Sequence, residues 1–156
     1  MNNLLHELLG HQAIVTDIVA RNKKQLFRAL ADRFAADIGC SADAIVEILV
    51  ERERLGSTGF GGGIAIPHGK LEGLTSVQAF LAILREPVDY GAVDDLPVDI
   101  IVLLLSPREA GTAHLKALAQ VSRALRDRDF LAKLRGAGSP DAIYALVNNY
   151  QALDAA

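Results

Sequence analysis

The run Val98-Asp-Ile-Ile-Val-Leu-Leu-Leu105, bracketed by Pro97 and Pro107, limits the fold more than any other stretch of the chain. Eight mostly branched, apolar residues between helix-breaking prolines suit a strand buried on both faces better than a helix. Such a strand must be covered above and below, so the run predicts an α/β protein with this segment at the centre of its sheet.

The flanking patterns supply the other parts. Leu4, Leu5, Leu8 and Leu9 have helical spacing and break at Gly10, and Ala13 to Val19 is β-branched and suited to a strand. From Asn22, the positions Leu26, Phe27, Leu30, Phe34 and Ile38 make one face of an amphipathic helix that stops at Gly39. Ser41 can cap a second helix with Ile45, Ile48 and Leu49 inward, and its polar end, Glu51 to Arg54, runs into a glycine-rich stretch. Val77 to Leu84 reads as a buried strand, and Pro87 to Tyr90 with Gly91 as a short strand and turn. Thr112 can cap a helix with His114 in its first turn and Leu118, Val121 and Leu125 along the same side. Asp127 or Asp129 starts a short helix ending before Gly136, and Ser139-Pro140 opens a last helix carrying Ile143, Leu146, Val147 and Tyr150. The final QALDAA is expected to fray. One domain over residues 1–156, with a sheet of four or five strands covered by helices, accounts for all of this.

Charge and composition remove several functions. A net charge of −3 gives no basic field for nucleic acid, and three Tyr, five Phe and no Trp leave few stacking platforms. The first residues, MNNLLHELLGHQ, lack a signal peptide's basic start and long apolar stretch, and no run is long enough to span a bilayer. A cytoplasmic chain without membrane insertion is expected. The lone Cys40 excludes an internal disulfide framework and reads as a small core residue rather than a reactive thiol.

The chemistry concentrates between Arg52 and Lys70. Gly56, Gly59, Gly61, Gly62 and Gly63 fall within eight positions, which points to positive φ or close backbone approach. Ile64-Ala65-Ile66 then delivers Pro67-His68-Gly69, so order resumes at the histidine. The stretch is not a Walker A loop, because Ile64 stands where the first glycine belongs and Leu71 follows Lys70. It is not a dinucleotide fingerprint either, since the third glycine position falls on Ile64 or Ile66. His6-Glu7 with His11 misses zincin spacing by one residue, and Ser57-Thr58 lacks the nucleophile-elbow spacing. No metal and no nucleotide cofactor is expected.

His68 remains as the reactive group. A neutral imidazole can attack through one nitrogen while the other donates a hydrogen bond that fixes the tautomer, as a phosphoryl acceptor requires. The glycines can offer a carbonyl to that second nitrogen, and exposed loop amides favour an anion. A phosphoryl group also needs positive partners. Arg52 leads into the loop and can grip two oxygens, although a helix-end ion pair with Glu51 or Glu53 fits the spacing equally. His114, near a helix N-terminus, is the second candidate, although a satisfied core histidine fits that place as well.

At these residues the chain resembles the type-2 enzyme IIA family of the bacterial phosphotransferase system, which includes mannitol, fructose and nitrogen-regulatory proteins. The shared signature is G-S-T-G-x-G-x-G-I-A-I-P-H-G-K, here Gly56 to Lys70, with Arg52 before it, Pro97-Val98-Asp99, and Thr112-Ala113-His114-Leu115. The resemblance implies a mixed, mostly parallel sheet of about five strands flanked by helices. It implies that His68 is phosphorylated on Nε2, that His114 is the second active-site histidine, and that Arg52 contacts the phosphoryl group. Gly56, Ser57, Thr58, Gly59, Gly61 and Gly63 would form the phosphoryl-binding loop. Gly62 departs from the family, which commonly has asparagine there, and implies a softer loop without the interaction an asparagine side chain would make. The HGKL ending and the length favour the nitrogen-regulatory type, a phosphohistidine carrier charged by an HPr-like protein (NPr). It would be a phosphotransferase component rather than a turnover enzyme on a free substrate, needing no cofactor. Its targets would be proteins such as potassium transporters or kinases. Phe60, Ile66 and Leu71 are expected to rim the site for partners. The alternatives are a sugar-type IIA component passing phosphate to a IIB domain and a binding module in which His68 is structural.

Overall fold

The structure, a computed structural model, describes residues 4–150. Helix α1 (Leu4–Leu8) and a single 3-10 turn lead into strand β1 (Ile14–Val15). Asn22 accepts from Gln25 N and so caps α2 (Lys23–Ile38), which ends where Gly39 turns left-handed at φ 77°. Ser41 caps α3 (Ala42–Arg54) by accepting from Ala44 N. The glycine-rich stretch holds β2 (Gly59–Gly61), β3 (Ile64–Ala65) and β4 (His68–Leu71). Two long strands follow, β5 (Gln78–Val88) and β6 (Val98–Pro107). The chain closes with α4 (Thr112–Ala124), α5 (Arg128–Gly136) capped by Asp127, and α6 (Pro140–Asn149) capped by Ser139.

The apolar run is the sheet's centre, as its two-faced pattern requires. β6 pairs antiparallel with β5 on one side and parallel with β3 and then β4 along the other. Its side chains alternate between two cores: Ile101, Leu103 and Leu105 pack toward α2 and α3, and Ile100, Val102 and Leu104 toward α4, α5 and α6. The architecture is therefore a mixed sheet between two helical layers. Three of the five strand pairings are parallel, while the longest, β5 with β6, is antiparallel.

Several local expectations are corrected. Ala13 to Val19 is strand only at Ile14–Val15, because β1 is an edge that pairs with β5 at Leu81 and Ala82 alone. The segments 77–84 and 87–90 are not separate strands: β5 runs on to Val88, absorbing the break as a register shift between Ile83 and Val88. Thr112 is the first residue of α4 rather than its cap, a place taken by Gly111 at φ 57° without a side-chain cap bond. α5 includes Gly136. Cys40 is half-buried at the edge of the first core. There are six strands among the described residues, because the glycine stretch itself contributes three. The terminal QALDAA lies outside the described residues. Among those residues no helix is long and apolar enough to cross a membrane.

Candidate active site

His68 opens β4 directly after Pro67. β3 and β4 lie end to end along β6, with Ala65 opposite Ile101 and His68 opposite Leu104, and Ile66-Pro67 interrupts the ladder between them. Proline has no N–H to continue it. Just before that break, the Ile66 carbonyl accepts from His68 Nδ1 at 2.8 Å. The expected carbonyl comes from this residue and not from a glycine.

Helix α3 brings the arginine. Gly69 faces α3, and a Cβ there would stand 2.1 Å from Ile48 Cγ2, so the missing side chain lets the helix sit directly on β4. Arg52 lies one helical turn beyond Ile48. No strand lies beyond β4 among the described residues, and around this edge Arg52 reaches His68. Its Nε donates to His68 Nε2 at 3.1 Å, and its Nη1 donates to the Gly56 carbonyl at 3.0 Å. Neither Glu51 nor Glu53 is its partner in these bonds.

A guanidinium N–H can only donate, so His68 Nε2 carries a lone pair and Nδ1 the proton. The imidazole is neutral, and its pKa lies below the ordinary 6.5 chiefly because it is largely buried; the Ile66 carbonyl opposes this shift and the Arg52 charge adds to it.

His114 comes from the first turn of α4 and is 7% exposed. Its ring centroid lies 5.7 Å from that of His68. Its Nδ1 shares a 2.6 Å hydrogen bond with Ser106 Oγ, and Ser106 is two residues beyond Leu104, hence on the same face of β6. Burial holds the pKa of His114 below 6.5, with His68 and Lys70 adding to the effect. Two imidazoles and one guanidinium thus converge where β4 begins, between the last turn of α3 and the first turn of α4.

The glycine loop is pinned at both ends. At its start, Ser57 Oγ accepts from Gly59 N, and Thr58 is buried against Glu53 and Tyr90. A Cβ at Gly59 would meet Tyr90 Cδ1 at 2.8 Å, so that glycine is needed for close approach. At its tip, Arg135 makes a two-pronged pair with Asp99 and donates to the Gly62 carbonyl at 2.9 Å, while Asp94 accepts from Gly62 N at 3.0 Å. Gly56, Gly61 and Gly63 have φ of 146°, 109° and 83°, values that disfavour any other residue. A Cβ at Gly62 meets nothing within 4 Å, so the position is open to solvent rather than missing a partner.

The expected apolar rim is corrected. Ile66 and Leu71 are 3% and 4% exposed and pack into opposite cores, which leaves only Phe60 of the three open. The large exposed apolar residues nearest in sequence to Arg52 and His114 are Leu55, just past the end of α3, and Leu115, which follows His114. Neither was among the expected rim residues, and Leu115 entered only as part of the Thr112–Leu115 signature. Sequence reading also passed over Ser106, which ends an apolar strand, and Asp94 and Arg135, which meet the loop only through the fold. His11, considered as a metal ligand, instead pairs with Asp141.

The fold and the arrangement of the site fit a single class, and comparison with known proteins agrees: the chain belongs to the family described as phosphoenolpyruvate-dependent sugar phosphotransferase system, EIIA 2, whose model matches residues 7–150. Within it, the chain is similar to the nitrogen regulatory protein of Bradyrhizobium diazoefficiens, 42% identical over 90% of this chain and 92% of that one. It is 37% identical to the nitrogen regulatory protein of Pseudomonas aeruginosa, over 94% and 96% of the two chains. In structure it resembles the nitrogen regulatory protein IIA-Ntr of Neisseria meningitidis, with a TM-score of 0.85 at 33% identity, covering 92% of this chain and 99% of that one.

Proposed function

We propose that this IIA protein is the phosphohistidine carrier of a nitrogen-regulatory phosphotransferase branch, charged on His68 by an HPr-like carrier protein of the NPr type. The observation that supports this most is the pair of bonds on one ring: Nδ1 donates to the Ile66 carbonyl, and Nε2 offers its lone pair toward Arg52.

The transfer is in line. The Nε2 lone pair of His68 forms the new P–N bond as the P–N bond to the donor histidine breaks, and that electron pair returns to the donor's imidazole. The positive charge that develops on the His68 ring is spread toward the Ile66 carbonyl through the Nδ1 proton, which stays in place. Arg52 Nε, released from Nε2 by the incoming phosphorus, turns its donors to the phosphoryl oxygens, and His114 stands beside the same group. Positioning and charge stabilisation account for the catalysis, without nucleotide or metal. The carried group adds nearly two negative charges beside Leu55 and Leu115, which changes the surface presented to target proteins such as potassium transporters or kinases.

The test is intact mass after incubation with enzyme I, its carrier and phosphoenolpyruvate, comparing wild type with His68→Ala. One acid-labile phosphate adduct, absent in the variant, is expected. No adduct from a carrier shown to be charged would overturn the reading, and rapid onward transfer to a fructose- or mannitol-type IIB domain would identify a sugar-transport component instead.

A further inference from the structure

Glu53 follows Arg52 directly, yet it takes no part in the transfer just described. Its side chain is 7% exposed, and a carboxylate so placed needs several hydrogen-bond partners. Those partners come from separate segments. Thr58 donates from its backbone N at 3.1 Å and from its hydroxyl at 2.5 Å, and Lys23 Nζ donates from the first turn of α2 at 2.7 Å. The single Thr58 hydroxyl proton is given to Glu53, so the 2.6 Å bond to Tyr90 is one in which the Tyr90 O–H donates to Thr58 Oγ1. Lys23 Nζ also lies 4.7 Å from the centre of the Tyr90 ring. Burial raises the Tyr90 pKa strongly, so its phenol keeps the proton that this bond requires.

The cluster is joined to the reactive histidine through a short chain of bonds. Gly56 N donates to the Glu53 carbonyl at 3.2 Å, and the Glu53 side chain holds Thr58, so residues 53–58 close into a fixed turn. The carbonyl at the middle of that turn, on Gly56, receives Arg52 Nη1. One end of the guanidinium is braced there, which leaves Nε directed at His68 Nε2.

We propose that Glu53, held by Lys23 and Thr58, is a positioning residue for phosphoryl transfer, fixing the Gly56–Thr58 turn against which Arg52 is aimed at His68. This rests on the reading of His68 as the phosphoryl acceptor.

The experiment uses the full chain carrying Glu53→Gln, which keeps the volume and removes the charge that pairs with Lys23. Three quantities are read: kcat and KM for phosphorylation by the charged donor carrier, the His68 Nε2 resonance and titration by nitrogen NMR, and the melting transition. The expected result is a kcat lower by about tenfold with KM changed less than about twofold. The Nε2 resonance shifts as the Arg52 bond loosens, and His68 titrates lower still, because the Glu53 carboxylate favours the imidazolium. A kcat within about twofold of wild type, or an unmoved His68 resonance in the folded variant, overturns the proposal. If Glu53→Gln does not fold, Lys23→Met replaces it: a lower kcat at constant KM supports the positioning role, and an unchanged kcat overturns it. If wild type takes no phosphoryl group from a charged carrier, the carrier reading fails, while the His68 resonance still decides whether Glu53 aims Arg52.

Discussion

Arg52 Nε donates to the very nitrogen of His68 that is free to react, at 3.1 Å. The contact selects the Nδ1–H tautomer and keeps Nε2 unprotonated, as the proposed roles of His68 as acceptor and Arg52 as its anion partner require. Replacing Arg52 by Gln removes the fixed charge and the Nε donor together. The phosphorylation rate is expected to fall about 100-fold. The side chain is half-exposed, so stability should change by less than about 1 kcal/mol. Rapid-quench phosphorylation and a urea melt check both; a rate within a few-fold of wild type would contradict the assigned role.

His68 and His114 both have pKa values below the ordinary 6.5 in the folded chain, each mainly through burial. Between those lowered values and about 6.5, the unfolded chain binds more protons than the folded one, so stability rises with pH across this window. It is fully present above about 6.5 and is lost as pH falls through the folded values. Urea unfolding at pH 7.5 and 5.5 should show a lower midpoint at the acid value. Asp17 and Asp94, also lowered in the fold, act only in more acid solution. Titration of either histidine at or above 6.5 by NMR would remove the basis of this expectation.

The close seat of α3 on β4 depends on Gly69. A Cβ there would stand 2.1 Å from Ile48 Cγ2, on a β-branched side chain with little rotamer freedom in a helix. Gly69→Ala should lift α3, cost about 1–3 kcal/mol, and slow phosphorylation because Arg52 moves with the helix. Ile48→Ala in the same chain removes the clashing methyl and should recover part of both effects. A double-mutant cycle in urea reads the coupling, and strictly additive changes would show that the two residues do not meet.

Neighbouring glycines at the loop tip should behave oppositely. Gly62 has φ 71°, in the left-handed region that asparagine tolerates, and a Cβ there meets nothing within 4 Å. Gly62→Asn should leave phosphorylation unchanged and leave stability unchanged or raised by up to about 1 kcal/mol, through a less free unfolded chain. At Gly63, with φ 83°, a Cβ would stand 2.6 Å from Arg135 Nη2 and 2.9 Å from Asp99 Oδ1. Gly63→Ala should break that ion pair's geometry and cost more than about 1 kcal/mol. Equal midpoints for the two variants would contradict the geometry.

What could be read from residue order was whatever depends on local periodicity. The run Val98–Leu105 showed a strand covered on both faces because every position in it but Asp99 is apolar, and Asn22, Ser41, Ser139 and the choice of Asp127 or Asp129 marked helix starts because capping is local chemistry, the structure choosing Asp127. His68, Arg52 and His114 could be singled out one by one, yet their meeting depends on register. His68 stands beside the Ser106–His114 pair only because β4 lies on β6 with His68 opposite Leu104, and Glu53 meets Lys23 across 30 residues of sequence. Ile66 and Leu71 were misplaced for the same reason: proximity to a reactive residue in sequence does not say which face of the sheet a side chain takes.

The docking surface we expect for a donor carrier centres on two exposed side chains close in sequence to Arg52 and His114. Leu55 is 84% exposed immediately after the helix that carries Arg52, and Leu115 is 64% exposed beside His114. If a donor carrier docks here, water around two large apolar side chains is displaced, and central apolar contacts carry much of an interface's affinity. Both side chains lie outside the cores, so Leu55→Gln and Leu115→Gln should fold as wild type does. Each should raise KM for the donor carrier about fivefold while kcat stays within about twofold, since neither touches the transferred group. Initial rates over a range of carrier concentrations separate the two parameters. A fall in kcat at constant KM would place these leucines in the chemistry instead, and no change in either would move the docking surface away from this edge.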